Sequence, residues 1–435
     1  MRGTPLAGAL TGLALTLSLV ACGDDSSGGE GGTAGAALTG RGPITLATGK
    51  DRSGNMQKMI DSWNQAHPKE QARVIELPDE PNDQRQQMIQ NATTKSDAYT
   101  ILNLDVVWTA EFAANRWLVE LPKGANGVDT GKLLPATVTT GEYRGKLYAM
   151  PLTSDAGLLF YRHDLLEKAG VAEPPKTWPE MWAACDKVRK IPAGKDVDCY
   201  LTEVGKTEGL TVSASEAINS AGGAIVGADG KPAVNTPQAK AGVDFLVDAI
   251  KDGRMPKAAL TLDGEGGRRH FQSGELLFHR QWPYQYELAG KDDGSSKVAG
   301  KFKVAPIPGQ DGPGAATLGG HNYAISSFAE NKATALDFIT YMADAAQQKA
   351  NSLATSQAPT VAALYDDPDM IKKYPFLPTL KTAIENAESR PAAVKYGDVT
   401  AAIQGSVYDA LNGKTPTDKA LADLQGKLGA LTTTP

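Results

Sequence analysis

The sequence predicts an α/β protein made of two lobes that meet at a hinge. Short β-rich segments alternate with amphipathic helical segments, which is typical of a mostly parallel sheet with helices on both faces. An extended stretch without a helix separates two such series of elements along the chain. The 435 residues, 41% of them hydrophobic and 22% charged, also favour two domains over one.

The first series starts the N-terminal lobe. Apolar residues recur on one face of its first helix, including Met56, Ile60 and Trp63. The predicted elements are strand 44–48, helix 55–66, strand 72–77, helix 83–91 and strand 100–104. Sheets of this kind bind ligands beyond the carboxyl ends of their strands. The segments 48–51, 78–82 and 105–108 therefore hold candidate binding residues, with Asp51, Asn82 and Asp105 among them.

The second series starts after an extended run over 146–153 that leads directly into 157–161, which we interpret as a crossing strand. Predicted helices follow over 178–190, 213–221 and 237–251. A Gly- and Pro-rich stretch over 306–320 precedes a strand at 323–325 and a helix over 331–343. The predicted N-terminal lobe is 43–153 plus 313–349, and the predicted C-terminal lobe is 154–312 plus 350–435. Several crossings between the lobes would form a hinge.

The start of the chain is typical of a lipoprotein signal. Arg2 precedes an apolar segment that is too short to span a bilayer, and small residues lead to Cys22. We expect removal of a signal peptide over 1–21 and acylation of Cys22, which would anchor the protein to the outer face of the cell membrane; an unmodified cysteine near an ordinary cleavage site is the alternative. The Gly- and Ser-rich segment 22–42 is predicted to be a flexible tether.

Charge and cysteine content exclude several classes of partner. The formal net charge is −6 and the basic residues are scattered, which argues against nucleic acid and against a membrane contact other than the lipid anchor. Cys185 and Cys199 are a candidate disulfide in an exported chain, although the sequence leaves open whether they are bonded. The five histidines show no metal-binding spacing, so neither a metal nor a cofactor is predicted.

Several segments in the same order carry a family resemblance. They are 103–112, Tyr148-Ala149-Met150-Pro151, 265–271, 274–284, Gly319-Gly320-His321-Asn322 and Arg390-Pro391. With these residues the chain resembles the extracellular solute-binding proteins of carbohydrate ABC importers, and within them the actinobacterial trehalose- and maltose-binding lipoproteins. The resemblance implies a two-lobed, periplasmic-binding-protein-like type II fold with a hinge, and no catalytic activity.

The resemblance also implies a ligand, partners and site residues. The ligand would be a disaccharide, with trehalose as first choice and maltose or a related α-glucoside as second. A monomer would deliver it to membrane permease subunits that work with a cytoplasmic ATPase. The residues at matching positions are Asp105 for sugar hydroxyls, Asp155 where the trehalose-binding relative has Asn, Glu265, the stacking Trp282, the small Gly319 and Gly320, and Arg390.

Physical chemistry supports these residue types and leaves alternatives. A sugar offers hydroxyl edges to charged groups and apolar C–H faces to an aromatic ring. However, Asp105 could cap the helix that follows it, Trp282 could be a core residue, and Glu265 could be solvated in a flexible turn. An exported glycosidase would need two carboxyls about 5 to 10 Å apart, for which Asp105, Asp155 and Glu265 are candidates. A surface adhesin or scaffold would need no cleft.

Overall fold

Two β-sheets organise the residues that the computed structural model describes, 38–124 and 127–432. The strands are β1 (Ile44–Thr48), β2 (Ala72–Glu76), β3 (Ile101–Asp105), β4 (Glu142–Tyr143), β5 (Lys146–Leu147), β6 (Ala149–Ala156), β7 (Leu158–Arg162), β8 (Asp198–Leu201), β9 (Leu276–Gln281), β10 (Phe302–Pro306) and β11 (Leu318–Ile325).

Helices cover both sheets. They are α1 (Met56–Ala66), α2 (Pro81–Thr93), α3 (Thr109–Ala114), α4 (Pro135–Thr140), α5 (His163–Lys168), α6 (Trp178–Val188), α7 (Glu208–Ser220), α8 (Pro237–Lys251), α9 (Gly264–Gln272), α10 (Gln285–Ala289), α11 (Lys332–Ala343), α12 (Ala345–Thr355), α13 (Pro368–Lys373), α14 (Leu377–Glu385), α15 (Tyr396–Leu411) and α16 (Thr417–Thr432). None of the helices in the described ranges is both long and apolar enough to cross a membrane.

The larger sheet has the strand order β2-β1-β3-β11-β6. Strand β1 pairs in parallel with β2 and β3, whereas β11 runs antiparallel to β3 and β6. The prediction of a mostly parallel sheet is therefore confirmed for this lobe, with β11 as its reversed strand. Because β1, β2 and β3 point the same way, their carboxyl ends share one edge of the sheet.

The smaller sheet has the order β10-β7-β9-β8 and belongs to the second lobe. Strand β6 of the larger sheet leads through the single residue Gly157 into β7, which confirms the predicted crossing strand. A side chain could not fit at Gly157, because a Cβ there would lie 2.7 Å from Nη2 of the buried Arg280. The chain crosses back between β10 and β11, so the two lobes are joined at neighbouring places.

Three elements of the second lobe differ from the sequence prediction. Strand β8 was not predicted, helix α7 begins at Glu208 instead of residue 213, and the expected turn at Glu265 is the first turn of α9. Glycines such as Gly209 and Gly264 disfavour a helix, yet both lie in the first turn of one. Asp263 starts α9, since its Oδ1 accepts from the Gly266 N–H at 2.6 Å, and an N-cap of this type offsets the low helix propensity of glycine.

The last residues of the predicted tether, 38–42, belong to the folded part of the chain. Residues 38–42 contact the fold, because Arg41 pairs with Glu70 at 2.6 Å and with Asp337 at 2.7 Å. The Lys332 N–H also donates to the Thr39 carbonyl. The signal peptide at 1–21, Cys22 and the tether before residue 38 lie outside the described residues.

The structure pairs Cys185 of α6 with Cys199 of β8 as a disulfide, with their Cα atoms 5.7 Å apart. Both residues are buried. The bond closes a loop between residues 14 positions apart in sequence, and it attaches a surface helix to an edge strand of the smaller sheet. The sequence had left this pairing open.

Candidate ligand-binding site

A cavity of about 540 Å³ lies between the two sheets, within the size range of small-molecule sites. The first lobe contributes the β1–α1 loop with Asp51 and Arg52, the end of β2 with Asp79, and Asn103 of β3. The second lobe contributes Glu203, Asp263, Glu265, Trp282 and Tyr284, and the segment from α12 to Pro359 closes one side. The segments that follow β1 and β2 therefore both line this cavity.

The nine predicted binding residues divide into three groups. Asp51, Glu265 and Trp282 line the cavity. Asp155 and Gly319 pair across β6 and β11, directly beside Trp282. The remaining four, Asn82, Asp105, Gly320 and Arg390, are not among the lining residues.

Trp282 is a half-buried ring in the cavity wall, so it is not the fully buried core residue of the alternative interpretation. The Arg280 guanidinium lies 3.9 Å from the ring centroid and therefore covers one face. Arg280 is held by a bidentate pair with Glu216, at 2.6 and 2.5 Å. A Cβ at Gly319 would come within 2.7 Å of the indole. Arg280 and the small Gly319 therefore hold the indole in place in the cavity wall.

Glu265 is ordered rather than solvated in a flexible turn. Its carboxylate accepts from the Tyr284 hydroxyl at 2.8 Å and from Arg268 at 2.8 and 3.0 Å. Arg52 of the first lobe lies 3.4 Å from the same carboxylate and pairs with Asp79 at 2.7 Å. Glu265 therefore links the two lobes across the cavity mouth and has few lone pairs to spare for a ligand.

Asp105 and Arg390 form a buried ion pair with each other instead of facing the cavity. Arg390 is 2% exposed and donates to Asp105 at 2.7 Å and to Glu208 at 2.6 Å. Asp105 also accepts from the Val107 N–H at 3.1 Å. Asp105 is not the N-cap of α3, because Trp108 occupies that position. Trp108 itself is buried in the first-lobe core.

Asp155 lies on β6 near the crossing point. Its carboxylate accepts a hydrogen bond from the Ala358 backbone N–H, yet removal from water raises its pKa to about 7, and the nearby Asp105 carboxylate adds to this effect. When protonated, the Asp155 carboxyl can donate a hydrogen bond as well as accept one.

Sequence reasoning missed several lining residues, among them Glu203, Tyr323 and Asn351. Glu203 follows β8, so the same strand-end rule would have found it if that short strand had been predicted. Asn351 belongs to α12 and donates to Gln357 at 2.9 Å, and no local pattern marks it. Among the residues that the structure describes, no cluster of three His, Cys, Asp or Glu could hold a metal. Carboxylates beside one aromatic face instead suit a polyhydroxylated molecule.

Comparison with known proteins places these features in a family. The sequence profile of the bacterial extracellular solute-binding proteins matches residues 58–379. A probable ABC transporter-binding protein of Deinococcus radiodurans is 36% identical over 370 residues, which cover 82% of this chain and 86% of the relative. A mannitol-binding protein of Pseudomonas aeruginosa is 25% identical over 313 residues, or 70% of each chain.

Solved structures share the architecture. The maltose-bound MalE3 of T. maritima superposes with a TM-score of 0.85 and 32% identity, covering 89% of this chain and 99% of the other. The GacH receptor of Streptomyces glaucescens GLA.O has a TM-score of 0.81 at 21% identity, with 91% and 99% coverage. These likenesses confirm the two-lobed α/β fold.

Proposed function

Because the chain belongs to the bacterial extracellular solute-binding protein family, we propose that it is the receptor of an ABC importer for a small neutral carbohydrate. It is a binding protein and not an enzyme, which removes the glycosidase alternative. The ligand would enter the cavity between the lobes, and closure would bring both walls onto it. Ligand shifts this equilibrium by binding the closed form more tightly.

The observation that carries the proposal is Trp282, an aromatic ring held by Arg280 in the wall of a cavity that carboxylates also line. The ring would stack on the apolar face of a pyranose, while Asp51 and neighbouring polar groups would meet its hydroxyl edges. Asp155 and Gly319 would support the position of the Trp282 ring. Asp105 and Arg390 would hold the two lobes together through their ion pair. Micromolar affinity needs only about 8 kcal/mol.

A disaccharide is our proposed ligand, with trehalose first and maltose or a related α-glucoside second. An α-glucoside is supported by the MalE3 structure, which contains maltose and is 32% identical in sequence to this chain. The mannitol-binding relative is less similar, at 25% identity, and makes a polyol the alternative ligand. The cavity volume of about 540 Å³ accommodates any of these.

The proposed partners follow from the importer role. Permease subunits in the membrane would recognise the closed monomer, and a cytoplasmic ATPase would drive transport. Acylated Cys22 would keep the receptor at the outer face of the membrane, close to the permease. Replacing Cys22 by Ala and following the protein in membrane and culture fractions tests the anchor, since the variant should leave the membrane fraction.

Calorimetric titration of the chain starting after Cys22 tests the ligand. Trehalose, maltose, maltotriose and mannitol are compared, and each sugar is assayed for cleavage afterwards. We expect one disaccharide to bind with micromolar or better affinity and to be recovered intact. Preference for mannitol would replace the disaccharide by a polyol, and absence of binding to all four would contradict the carbohydrate proposal.

A further inference from the structure

Glu203 is the lining carboxylate that the fold leaves without a partner. It lies two residues beyond the end of β8, and no group in the described part of the chain forms a hydrogen bond with it. The neighbouring Asp263 accepts from the Gly266 N–H, and Glu265 accepts from Tyr284 and Arg268. Glu203 therefore differs from both, because its acceptor capacity is unused.

Two glycines reserve the space for this carboxylate. A Cβ at Gly264 would lie 3.0 Å from its Oε2, and a Cβ at Gly209 would lie 2.7 Å from its Cδ. Gly209 is in the first turn of α7, and Gly264 is in the first turn of α9. The carboxylate is thus held in the cavity wall beside the N-terminal ends of two helices, where a negative charge is favoured.

The charges around Glu203 do not neutralise it. Arg280 lowers the energy of the ionised form, but its guanidinium is already paired with Glu216, while Asp263 and Glu265 add negative charge. Burial accordingly raises the pKa of Glu203 to about 6. An ionised, partly desolvated carboxylate without donors is costly, so donors from a ligand would stabilise it.

We propose that Glu203 is a ligand-binding residue whose carboxylate accepts two hydroxyl hydrogens of a neutral sugar and excludes anionic carbohydrates such as sugar phosphates and uronic acids. This inference rests on the proposed carbohydrate function. Hydroxyl donors satisfy the carboxylate, whereas a phosphate or carboxylate group would bring a second negative charge beside it.

The test compares wild type with Glu203→Gln in calorimetric titrations. Trehalose with trehalose 6-phosphate, and maltose with maltobionate, are the neutral and anionic pairs. Wild type should prefer the neutral member of the pair that it binds. Glu203→Gln should lower the affinity for that neutral sugar about 10- to 100-fold and reduce the preference over the anion. Glu167→Gln, the same change at an exposed position on the same lobe, should leave both unchanged.

The pH profile separates this role from a structural one. Protonation removes an acceptor, so wild-type affinity should fall as the pH drops from 7 to 5, through the pKa of Glu203 near 6. Arg280, Glu216, Asp263 and Glu265 face Glu203 and remain in the variant, so a smaller fall in Glu203→Gln reports Glu203 itself. The variant's melting temperature should not drop, because the amide is less costly to bury.

The outcomes distinguish the two proposals. Wild type that binds none of the neutral sugars contradicts the carbohydrate function and this inference with it. Wild type that binds a sugar, with equal affinity in Glu203→Gln, overturns the role of Glu203 alone. Glu203→Asp keeps the charge but shortens the reach, so it should also lose affinity; unchanged affinity in both variants would mean that the carboxylate does not contact the ligand.

Discussion

Trp282 shows how much one residue depends on what lies behind it. Its ring is fixed by Arg280, which is itself fixed by Glu216. Glu216 also accepts the Thr317 N–H at 3.0 Å, just before β11. The ring therefore has little rotamer freedom to lose when a ligand stacks on it, and such preorganisation raises affinity.

Trp282→Ala should weaken binding of the preferred sugar roughly a hundredfold, on the order of 3 kcal/mol, because the stacking surface is lost. The melting temperature should change little, since the ring is only half-buried. Trp282→Phe keeps an aromatic face and should retain an intermediate affinity. Titration and thermal denaturation measure both effects, and unchanged affinity in the Ala variant would remove Trp282 from the site.

Residue types and motifs identified some of these side chains in advance. The sequence pointed to Trp282 and Glu265 because of the motifs around them, and to Asp51 because of its place after a strand. Glu203 was missed for lack of a predicted strand before it. The ion pair between Asp105 and Arg390 was unpredictable locally, since 285 residues separate them in sequence.

At the scale of elements, α9 is a helix that local propensity disfavours. Three of its nine residues are glycines, each costing about 1 kcal/mol relative to Ala. The Asp263 cap, the Glu265–Arg268 pair and the buried Phe271 offset this cost. Glycine is needed at two of these positions. Gly264 leaves room for Glu203, and a Cβ at Gly267 would lie only 3.0 Å from Nε2 of His279. A packing requirement therefore overrides the turn signal.

Asp263→Ala should lower the free energy of unfolding by about 1 kcal/mol through loss of the N-cap. The change should also loosen the first turn of α9 and with it the Glu265 contact to Arg52. Asp263→Asn retains a capping oxygen and should restore most of the stability. Urea denaturation monitors both variants; equal stability of Ala and wild type would mean that tertiary packing alone holds the helix.

At the scale of the whole molecule, the C-terminal segment ties the lobes together. Tyr396 of α15 inserts its ring into a buried cluster of the first lobe that includes Leu102 and Phe112, while its hydroxyl bonds Glu208 of α7. Arg390 joins Glu208 to Asp105. We infer that these contacts, together with the Arg52–Glu265 pair, stabilise the arrangement of the lobes in this structure without ligand.

Asp105→Asn should shift the ligand-free protein towards a more open form, because it removes the first-lobe charge that Arg390 meets. The amide can still accept the Val107 N–H, so stability should be largely kept. Sugar affinity should fall about tenfold, since closure then costs more. Small-angle X-ray scattering should show a larger radius of gyration without sugar and the wild-type value with it.

Arg390→Met provides the contrast. It leaves the Glu208 charge buried without its partner, and loss of one member of a buried pair costs about 3 to 5 kcal/mol. This variant should therefore melt at a lower temperature, whereas Asp105→Asn should not. Identical scattering of wild type and Asp105→Asn without sugar would argue against the link between the lobes.

Local periodicity and the order of short motifs predicted the alternation of strands and helices, the crossing from β6 to β7 and the family. They also selected Asp51, Glu265 and Trp282 as cavity residues. Which carboxylates have hydrogen-bond donors depends on contacts that form on folding. Glu265 has Tyr284 and Arg268 as donors and Asp105 has Arg390, whereas Glu203 has no donor in the described part of the chain. Arg268 lies within the same helix as Glu265, but Arg390 is 285 residues from Asp105, and only folding brings that pair within hydrogen-bond distance.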